Sequence, residues 1–281
     1  MDPGRDWSED RAAVAALLHT HDWTMNMTPP TDVPAPHPLI RIEALKKDYA
    51  MGTNIVQALR GVDLSVQRGE LVAVMGPSGS GKSTFLHILG CLDRPSSGQY
   101  FLDGLAVRDL TIRQLAILRN RKLGFIFQTF HLPPRANALE NVMLPLLYAG
   151  ITGKPAEERS RQALAAVGLA DRASHRPNQL SGGQQQRVAI ARSLVMGPAL
   201  LLADEPTGNL DTRTSLEVMA ILQELHAAGI TILIVTHEPD VAAFCERVVS
   251  SQDSKVVEDR ATPNPRLAAD VLAELAPGGA A

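Results

Sequence analysis

The sequence contains few cysteines, no long apolar run and no excess of basic residues. Its two cysteines, Cys91 and Cys245, form no Cys-x-x-Cys pair, which argues against a disulfide framework or a cysteine metal site and fits a reducing compartment. The longest apolar stretch, 188–203, is interrupted by Arg192 and Pro198, so we expect no membrane-spanning helix. Lysine and arginine number 27 against 30 aspartate and glutamate residues, a net charge of −3 that predicts no nucleic-acid partner.

The chain is long enough, at 281 residues, for one large domain or two closely packed ones, and 45% of its residues are hydrophobic. Residues 1–38 differ from the rest, because a short helical pattern is followed by a proline-rich stretch typical of an extended linker. The acidic start and the short apolar stretch do not fit a secretory signal. We therefore expect an N-terminal extension at 1–38, a domain at 39–260, and a Pro/Gly/Ala-rich tail at 261–281 with one possible helix at 266–275.

The domain alternates between strand-like and helix-like patterns. Three continuous apolar runs, 71–75, 199–203 and 230–235, read as strands, and a helical pattern separates the last two. Such strands joined by helices are typical of a parallel sheet covered on both faces. Residues 139–167 have helical spacing, which predicts a helical insertion. The other expected elements are strands at 39–44, 58–66 and 125–127, a hairpin around 97–104, and helices at 83–92 and 215–226.

A glycine-rich turn joins the strand at 71–75 to the helix that follows it, and its sequence matches Gly-x-x-x-x-Gly-Lys-Ser/Thr. Glycines allow successive backbone N–H groups to converge on a phosphate at a helix N-terminus. Lys82 would place a cation between the β- and γ-phosphates, and the Ser83 hydroxyl would bind Mg²⁺. The alternative is a glycine-rich turn with a structural role only. The residues expected to bind the phosphates are Gly76, Pro77, Ser78, Gly79, Ser80, Gly81, Lys82, Ser83 and Thr84.

Two carboxylates, Asp204 and Glu205, end the apolar strand at 199–203. Because side chains alternate along a strand, the two point in different directions, so one can serve a metal ion and the other a water molecule. We expect Asp204 to bind Mg²⁺ and Glu205 to act as the general base. Taken alone, two carboxylates at a strand end would more often cap the next helix.

The segment Leu180-Ser181-Gly182-Gly183-Gln184 precedes a helical run. Ser181 is a natural N-cap, and the two glycines leave backbone donors accessible, which predicts a second anion site. An ordinary capped helix is the alternative interpretation. A phosphate loop of this kind has no arginine finger of its own, so the start of this helix in a second copy could complete the γ-phosphate site.

The pentapeptide 180–184 is the signature of the ATP-binding-cassette (ABC) family, and the chain resembles the nucleotide-binding subunit of an ABC transporter over about residues 39–260. The resemblance implies a P-loop fold with a RecA-like mixed sheet, an antiparallel β subdomain and an inserted helical subdomain at about 129–180. It also implies four residue roles: Tyr49 as the aromatic that stacks on adenine, Gln128 as the glutamine that contacts Mg²⁺ and water, Asp211 in the loop that crosses between subunits, and His237 as the histidine that contacts the γ-phosphate. From the sequence alone, a tyrosine at position 49 would more often be a half-buried strand residue, and a lone histidine at 237 would be a turn or capping residue.

Five further segments, 49–52, 58–64, 89–95, 118–125 and 139–142, are similar to the MacB/LolD-type branch of the family. The chain departs from that branch in its N-terminal extension, in the proline-rich run 132–137 where a permease would dock, and at 251–255, which lacks a turn glycine. The resemblance implies a peripheral ATPase on the cytoplasmic face of the inner membrane. It would work as a homodimer and power a separate transmembrane permease that exports or extracts an amphiphilic substrate.

Two other classes of ABC-family ATPase compete with a transporter at this point, and the sequence argues against the second. A mechanotransmission ATPase of the cell-division type belongs to the same branch and moves no substrate. Translation-factor and DNA-repair ATPases of the ABC family usually carry two cassettes, long coiled coils or zinc inserts, whereas this chain shows one cassette, no heptad repeat and no Cys-x-x-Cys.

Overall fold

The computed structural model describes residues 37–52 and 54–275. The helical pattern expected near the N-terminus and most of the proline-rich stretch lie outside these described residues. Within the described part of the chain, no helix is long and apolar enough to cross a membrane.

A four-stranded antiparallel sheet forms the first layer, with strand order β2-β1-β4-β5. Its strands are β1 (Ile40–Met51), β2 (Asn54–Val66), β4 (Ser97–Leu102) and β5 (Leu105–Ala106). The alternating pattern in the sequence predicted that the first strand ends at Ala44, which is wrong. Ala44 has a φ of +44°, and the pairing of β1 with β2 shifts between Ile42 and Leu45. This bulge interrupts the alternation of side chains, and the strand then continues for seven more residues.

A six-stranded sheet forms the second layer, with strand order β10-β9-β3-β8-β7-β6. The five strands from β9 to β6 are parallel, and β10 pairs antiparallel with β9 at one edge. The ranges are β3 (Leu71–Met75), β6 (Leu123–Phe127), β7 (Leu200–Asp204), β8 (Thr231–Thr236), β9 (Arg247–Gln252) and β10 (Lys255–Ala261). The predicted combination of a mixed sheet and an antiparallel sheet is confirmed.

The described residues form eight α-helices, of which the first seven lie between strands and the last follows β10. They are α1 (Lys82–Leu89), α2 (Ile112–Lys122), α3 (Ala138–Tyr148), α4 (Lys154–Ala166), α5 (Gly182–Leu194), α6 (Thr212–Ala227), α7 (Pro239–Ala242) and α8 (Ala268–Glu274). Helix α1 ends three residues before the predicted Leu92, because Gly90 caps it and Cys91 then takes a φ of +54°. Helix α2 has only Leu115 and Leu118 buried, which is too weak a pattern for the sequence to have predicted it.

The core consists of two clusters of buried side chains, one on each face of the six-stranded sheet. Successive residues of the central strands belong to opposite clusters, as expected for a sheet covered on both faces. In β3, for example, Leu71 and Ala73 belong to one cluster, and Val72 and Val74 belong to the other. The first cluster also contains residues of α3, α4 and α5, so these three helices pack together against the sheet.

The hairpin between β9 and β10 explains why residues 251–255 need no glycine. Its two-residue turn consists of Asp253 and Ser254, whose φ values of +50° and +65° lie in the left-handed region. Two bonds to β2 hold this turn: the amide of Arg60 donates to the carbonyl oxygen of Ser254 at 2.9 Å, and the Ser254 hydroxyl donates to the carbonyl oxygen of Gln57 at 3.4 Å. The hairpin is therefore fixed against the antiparallel sheet.

Arg247 of β9 bonds two carboxylates, one on β10 and one directly before β3. Its guanidinium donates twice to Asp259 at 2.7 Å, and once to Glu70 at 2.9 Å. The hydrogen bonds from Arg247 hold the pKa of Asp259 below its usual range. Because this pKa is lowered, the pair stabilises the fold at pH values above the ordinary pKa of aspartate. The stabilisation is lost as the pH falls through the pKa of Asp259 in the native state.

We expect Asp259→Asn to lower the melting temperature at pH 7 by about 2–4 °C, because a partly exposed bidentate pair contributes on the order of 1 kcal/mol. The difference from the unmodified chain should shrink as the pH falls from about 4 towards the native pKa, because the unfolded-state carboxyl then takes up a proton while the native carboxylate is still ionised. Calorimetric scans against pH would measure both effects. Glu258→Gln is the matched control, because Glu258 is exposed and has only two long contacts among the described residues, with Arg260 at 3.7 Å and with the Ser250 hydroxyl at 3.3 Å. An equal effect of both substitutions would contradict the interpretation.

Candidate functional site

Four of the predicted motifs lie at the carboxyl ends of adjacent parallel strands. The glycine-rich loop follows β3, His237 follows β8, Asp204 ends β7, and Gln128 follows β6. The strand pairing aligns these ends, since Met75 pairs with Thr236, and Asp204 pairs with both Val235 and Phe127. The carboxyl edge of a parallel sheet is where α/β proteins generally bind ligands. The sheet thus brings together motifs that are up to 161 positions apart in the sequence.

The glycine-rich loop is packed so closely that two of its glycines have no room for a side chain. Gly81 has a φ of +88°, and a Cβ there would collide with the carbonyl oxygen of Ala58 on β2. A Cβ on Gly76 would come within 2.6 Å of the Ser80 hydroxyl oxygen and also collide with Ser251 on β9. The loop backbone is therefore held between β2, β9 and its own helix.

Helix α1 begins directly after this loop and leaves its first N–H groups free for an anion. Its N-cap is Gly81, which supplies no side-chain cap, and the first turn contains no acidic residue. The ammonium of Lys82 bends back to donate to the carbonyl oxygens of Gly76 at 2.6 Å and Pro77 at 2.9 Å, and Ser83 is exposed. Unsatisfied amides, the helix dipole and an ammonium group together favour a polyphosphate at this point.

The carboxylates of Asp204 and Glu205 have different surroundings. Burial, and then the charge of Glu205, raise the pKa of Asp204 above its usual range. Glu205 has a φ of +46°, and its amide donates to the carbonyl oxygen of Val235 on β8 at 2.9 Å. Left-handed backbone is rare for a glutamate and often marks a functional position. Glu205 therefore lies in a turn that follows β7, and its backbone is bonded to β8.

The Glu205 carboxylate is held from the neighbouring strand β8. One of its oxygens lies 2.7 Å from Nδ1 of His237, and the other accepts from the Thr236 hydroxyl at 3.1 Å. The bond to Glu205 raises the pKa of the otherwise exposed His237. Thr236 and the adjacent Glu238 were not predicted as site residues, although a polar run directly after a buried strand could have indicated them.

Gln128 and the loop after Glu205 contact each other across the strand ends. The Asn209 side chain donates to the Gln128 carbonyl oxygen at 3.0 Å, and a Cβ on Gly208 would lie 2.7 Å from Nε2 of Gln128. Buried Gln186 of α5 donates to the carbonyl oxygen of Pro206 at 2.6 Å. Sequence reasoning missed Gln186 and Gly208, because only the fold places them beside Gln128.

The segment 180–184 forms the expected helix start. The Ser181 hydroxyl accepts from the Gln184 amide at 3.3 Å, and the Gln184 side chain accepts from the Ser181 amide at 3.0 Å. Ser181 and Gly182 are exposed, whereas a Cβ on Gly183 would collide with the Thr214 side chain. These hydrogen bonds of Ser181 and Gln184 join the two residues to each other, and not to the glycine-rich loop of the same chain.

Asp211 and Tyr49 have separate surroundings, one at a helix start and the other on the antiparallel sheet. Asp211 caps α6, where it accepts from the Thr214 amide at 3.0 Å and from the Thr214 hydroxyl at 2.6 Å.

Tyr49 lies on β1, is 36% exposed, and donates its hydroxyl to Asp93 at 2.8 Å. Burial, and then the bond to Asp93, raise the pKa of Tyr49, while a bond to Thr84 lowers it. The Thr84 contact places Tyr49 beside the first turn of α1.

The donor chemistry at the sheet edge fits a small, hard cation. Ser83 offers a hydroxyl, Gln128 an amide oxygen and Asp204 a carboxylate, and Mg²⁺ prefers oxygen ligands of these kinds. A glycine-rich loop at a helix start, oxygen donors at the ends of neighbouring strands and a hydrogen-bonded carboxylate are the features expected at the nucleotide site of a P-loop NTPase.

Comparisons with known proteins agree with this class. The model of the family described as ABC transporter matches residues 59–208. The chain is 51% identical over 226 residues to the macrolide export ATP-binding/permease protein MacB of Hahella chejuensis, covering 80% of this chain and 35% of that protein. It is 52% identical over 219 residues to the uncharacterized ABC transporter ATP-binding protein YknY of Bacillus subtilis, covering 78% of this chain and 95% of that protein.

Solved structures show the same likeness. The dimeric ATP-binding cassette MJ0796, solved in a post-hydrolysis state with ADP and Pi, superposes with a TM-score of 0.74 at 43% identity. The match covers 80% of this chain and 99% of that one. A second structure, cbiO1 from Clostridium perfringens, superposes with a TM-score of 0.71 at 30% identity, covering 85% of this chain and 92% of that one.

The chain belongs to the ABC transporter family. Family membership confirms the predicted fold class and the predicted enzyme class, an ATPase with ATP as substrate and Mg²⁺ as cofactor. The resemblance to the MacB/LolD-type branch is also confirmed. The chain spans about a third of the length of the MacB relatives that it matches, which are named as combined ATP-binding and permease proteins.

Proposed function

We propose that this chain is the ATP-hydrolysing part of an ABC transporter and powers a membrane permease that exports or extracts an amphiphilic substrate. The observation that carries the proposal is the meeting of the glycine-rich loop, Asp204, Glu205 and His237 at one sheet edge. The relatives support it, because MacB is named as an export ATP-binding/permease protein and YknY as an ABC transporter ATP-binding protein. In this proposal the catalytic domain extends over 39–260, with a helical subdomain at about 129–180.

We assign the following roles to the site residues. Lys82 and the amides of 76–84 bind the phosphates, and the Tyr49 ring stacks on the base. Ser83, Gln128 and Asp204 would hold Mg²⁺, which supplies charge neutralisation at the phosphates when it is bound.

Glu205 accepts the proton of the attacking water, and His237 contacts the γ-phosphate. The bonds from Thr236 and His237 keep the Glu205 carboxylate in one orientation, which is what a general base requires.

The site is completed in this proposal by a second copy of the chain. Ser181 and Gly182 are exposed at the start of α5, and the bonds of Ser181 and Gln184 to each other leave the next amides of the helix available. In a head-to-tail dimer, residues 181–184 of one copy would bind the γ-phosphate held by the other, with Asp211 in the loop between them. The MJ0796 cassette, solved as a dimer with ADP and Pi, supports the pairing of two copies.

Transport requires the chain to lie on the cytoplasmic face of the inner membrane, bound to its permease and not inserted into the lipid. We expect the full-length chain to sediment with the membrane fraction, to be released by alkaline carbonate, and to purify in mild detergent at a fixed ratio with one membrane-spanning protein. Quantitative blotting of the fractions and mass spectrometry would measure this. Recovery of the whole chain in the supernatant before carbonate treatment would contradict the proposal.

A further inference from the structure

Tyr49 is held by two neighbouring charged residues, Lys47 and Asp93. Its hydroxyl donates to one oxygen of the Asp93 carboxylate at 2.8 Å, and the Lys47 ammonium donates to the other oxygen at 2.7 Å. The same ammonium lies 4.8 Å from the centre of the Tyr49 ring. The aspartate thus fixes the tip of the ring, and the lysine occupies one of its faces.

Asp93 is in turn anchored to the helix that follows the glycine-rich loop. Its amide donates to the carbonyl oxygen of His87 in the last turn of α1 at 3.2 Å, and its carboxylate accepts from the Arg94 amide at 2.7 Å. Lys47 adds a bond to the Arg94 carbonyl oxygen at 2.8 Å, and its side chain is only 12% exposed. Burial raises the pKa of Asp93, but the bonds from Lys47 and Tyr49 outweigh it and hold that pKa below the usual range.

An aromatic ring that stacks on a nucleobase must present one face in a fixed direction. Tyr49 lies near the end of the hairpin of β1 and β2 and is 36% exposed, and its hydroxyl is bonded to Asp93 and contacts Thr84 of α1. We propose that Lys47 and Asp93 are positioning residues, which hold the Tyr49 ring ready for the base and set its distance from the glycine-rich loop. The inference rests on the proposed nucleotide site. It adds that Lys47 and Asp93 align the Tyr49 ring with the glycine-rich loop.

The same contacts could merely join β1 to the end of α1, and the two roles have different consequences. A positioning role affects only ligands that carry a base. A structural role would disturb α1, and with it the binding of any polyphosphate. Inorganic tripolyphosphate, which has the phosphates of ATP and no base, therefore separates the two.

The experiment compares ATP with tripolyphosphate, each with Mg²⁺, by competition against a fluorescent ATP analogue on the full chain. Asp93→Ala should weaken ATP binding about five- to tenfold, because a misaligned ring loses part of the free energy of stacking on one base. The same substitution should change tripolyphosphate binding by less than twofold. Lys47→Met should act in the same direction. Asp93→Asn should recover part of the loss, because its amide oxygen still accepts from the Tyr49 hydroxyl. Glu43→Gln is the control, since Glu43 lies on the same strand and pairs with Arg41.

A double-mutant cycle decides the mechanism. In a Tyr49→Ala background, Asp93→Ala should cause less than a twofold further loss of ATP affinity, because no ring is left to position. The inference is overturned if Asp93→Ala binds ATP as the unmodified chain does, if it weakens both ligands equally, or if its effect persists without the ring. Failure of the unmodified chain to bind either ligand would instead overturn the proposed nucleotide site.

Discussion

Replacing Lys82 with alanine is expected to weaken MgATP binding about a hundredfold and to abolish measurable hydrolysis. The ammonium of Lys82 is the side-chain cation of the glycine-rich loop, and hydrogen bonds between charged partners are the strongest that a phosphate site offers. In the ligand-free chain this group bonds only the carbonyl oxygens of Gly76 and Pro77 among the described residues. Its loss should therefore leave the fold intact.

Titration calorimetry with MgATP measures the affinity, and a thermal melt without nucleotide checks the fold. Lys154→Ala is the matched control, because Lys154 begins α4, is exposed, and carries the same charge. Unchanged ATP binding by Lys82→Ala would refute the phosphate-loop assignment. A melting temperature that falls together with the affinity would show that the variant is misfolded, and Lys82→Met would then be used in its place.

Glu205→Gln is expected to retain ATP binding and to lower the rate of hydrolysis about 10²- to 10⁴-fold, the usual contribution of a general base. Glutamine has the shape of glutamate and can still bond Thr236, but it cannot accept the proton of the attacking water. Trapped ATP should then hold two copies together, so that the variant elutes as a dimer with MgATP and as a monomer without it. Glu158→Gln, on the exposed face of α4, should hydrolyse ATP normally.

A second substitution in the same variant tests the shared site. Ser181→Arg would place a long side chain at the start of α5, in the space expected for the γ-phosphate of the opposite copy, and would leave the glycine-rich loop of its own copy unchanged. The ATP-dependent dimer should disappear, and weak ATP binding by single copies should persist. Size-exclusion chromatography with light scattering measures this. A dimer that survives Ser181→Arg would contradict the composite site while leaving ATP binding by the single chain in place.

Much of the fold could be predicted, because its main determinants are local. The strands at the centre of the six-stranded sheet are short continuous apolar runs, and the loop after β3 has a fixed spacing of glycines and a lysine. Glu205 was predicted to follow β7 directly, and the alternation of strand side chains was used to predict that it points away from Asp204. Its positive φ was not predicted, because that conformation comes from the bond between its amide and Val235 of the neighbouring strand.

The features that sequence reasoning missed depend on contacts between distant segments. Ser251 supports the glycine-rich loop through its contact with Ser80, although 171 positions separate the two. Asp93 meets Tyr49 across 44 positions, and no spacing pattern connects them. The turn at 253–254 was expected to need glycine, yet two short polar residues adopt the left-handed conformation because β2 bonds the turn from outside. The catalytic and binding roles of the individual site residues remain predictions until the substitutions above are measured.

The two ends of the proposed nucleotide site belong to different layers of the molecule. Tyr49 lies on the four-stranded sheet, whereas Lys82 follows a strand of the six-stranded sheet. A nucleotide that contacts both residues would act as a cross-link between the layers, and its binding free energy would add to the free energy that keeps them associated. At a concentration one hundred times the Kd, this linkage amounts to about 2.7 kcal/mol. Release of the nucleotide would remove that contribution. The two sheets would then be held together less strongly after release, and more strongly again once a new nucleotide binds.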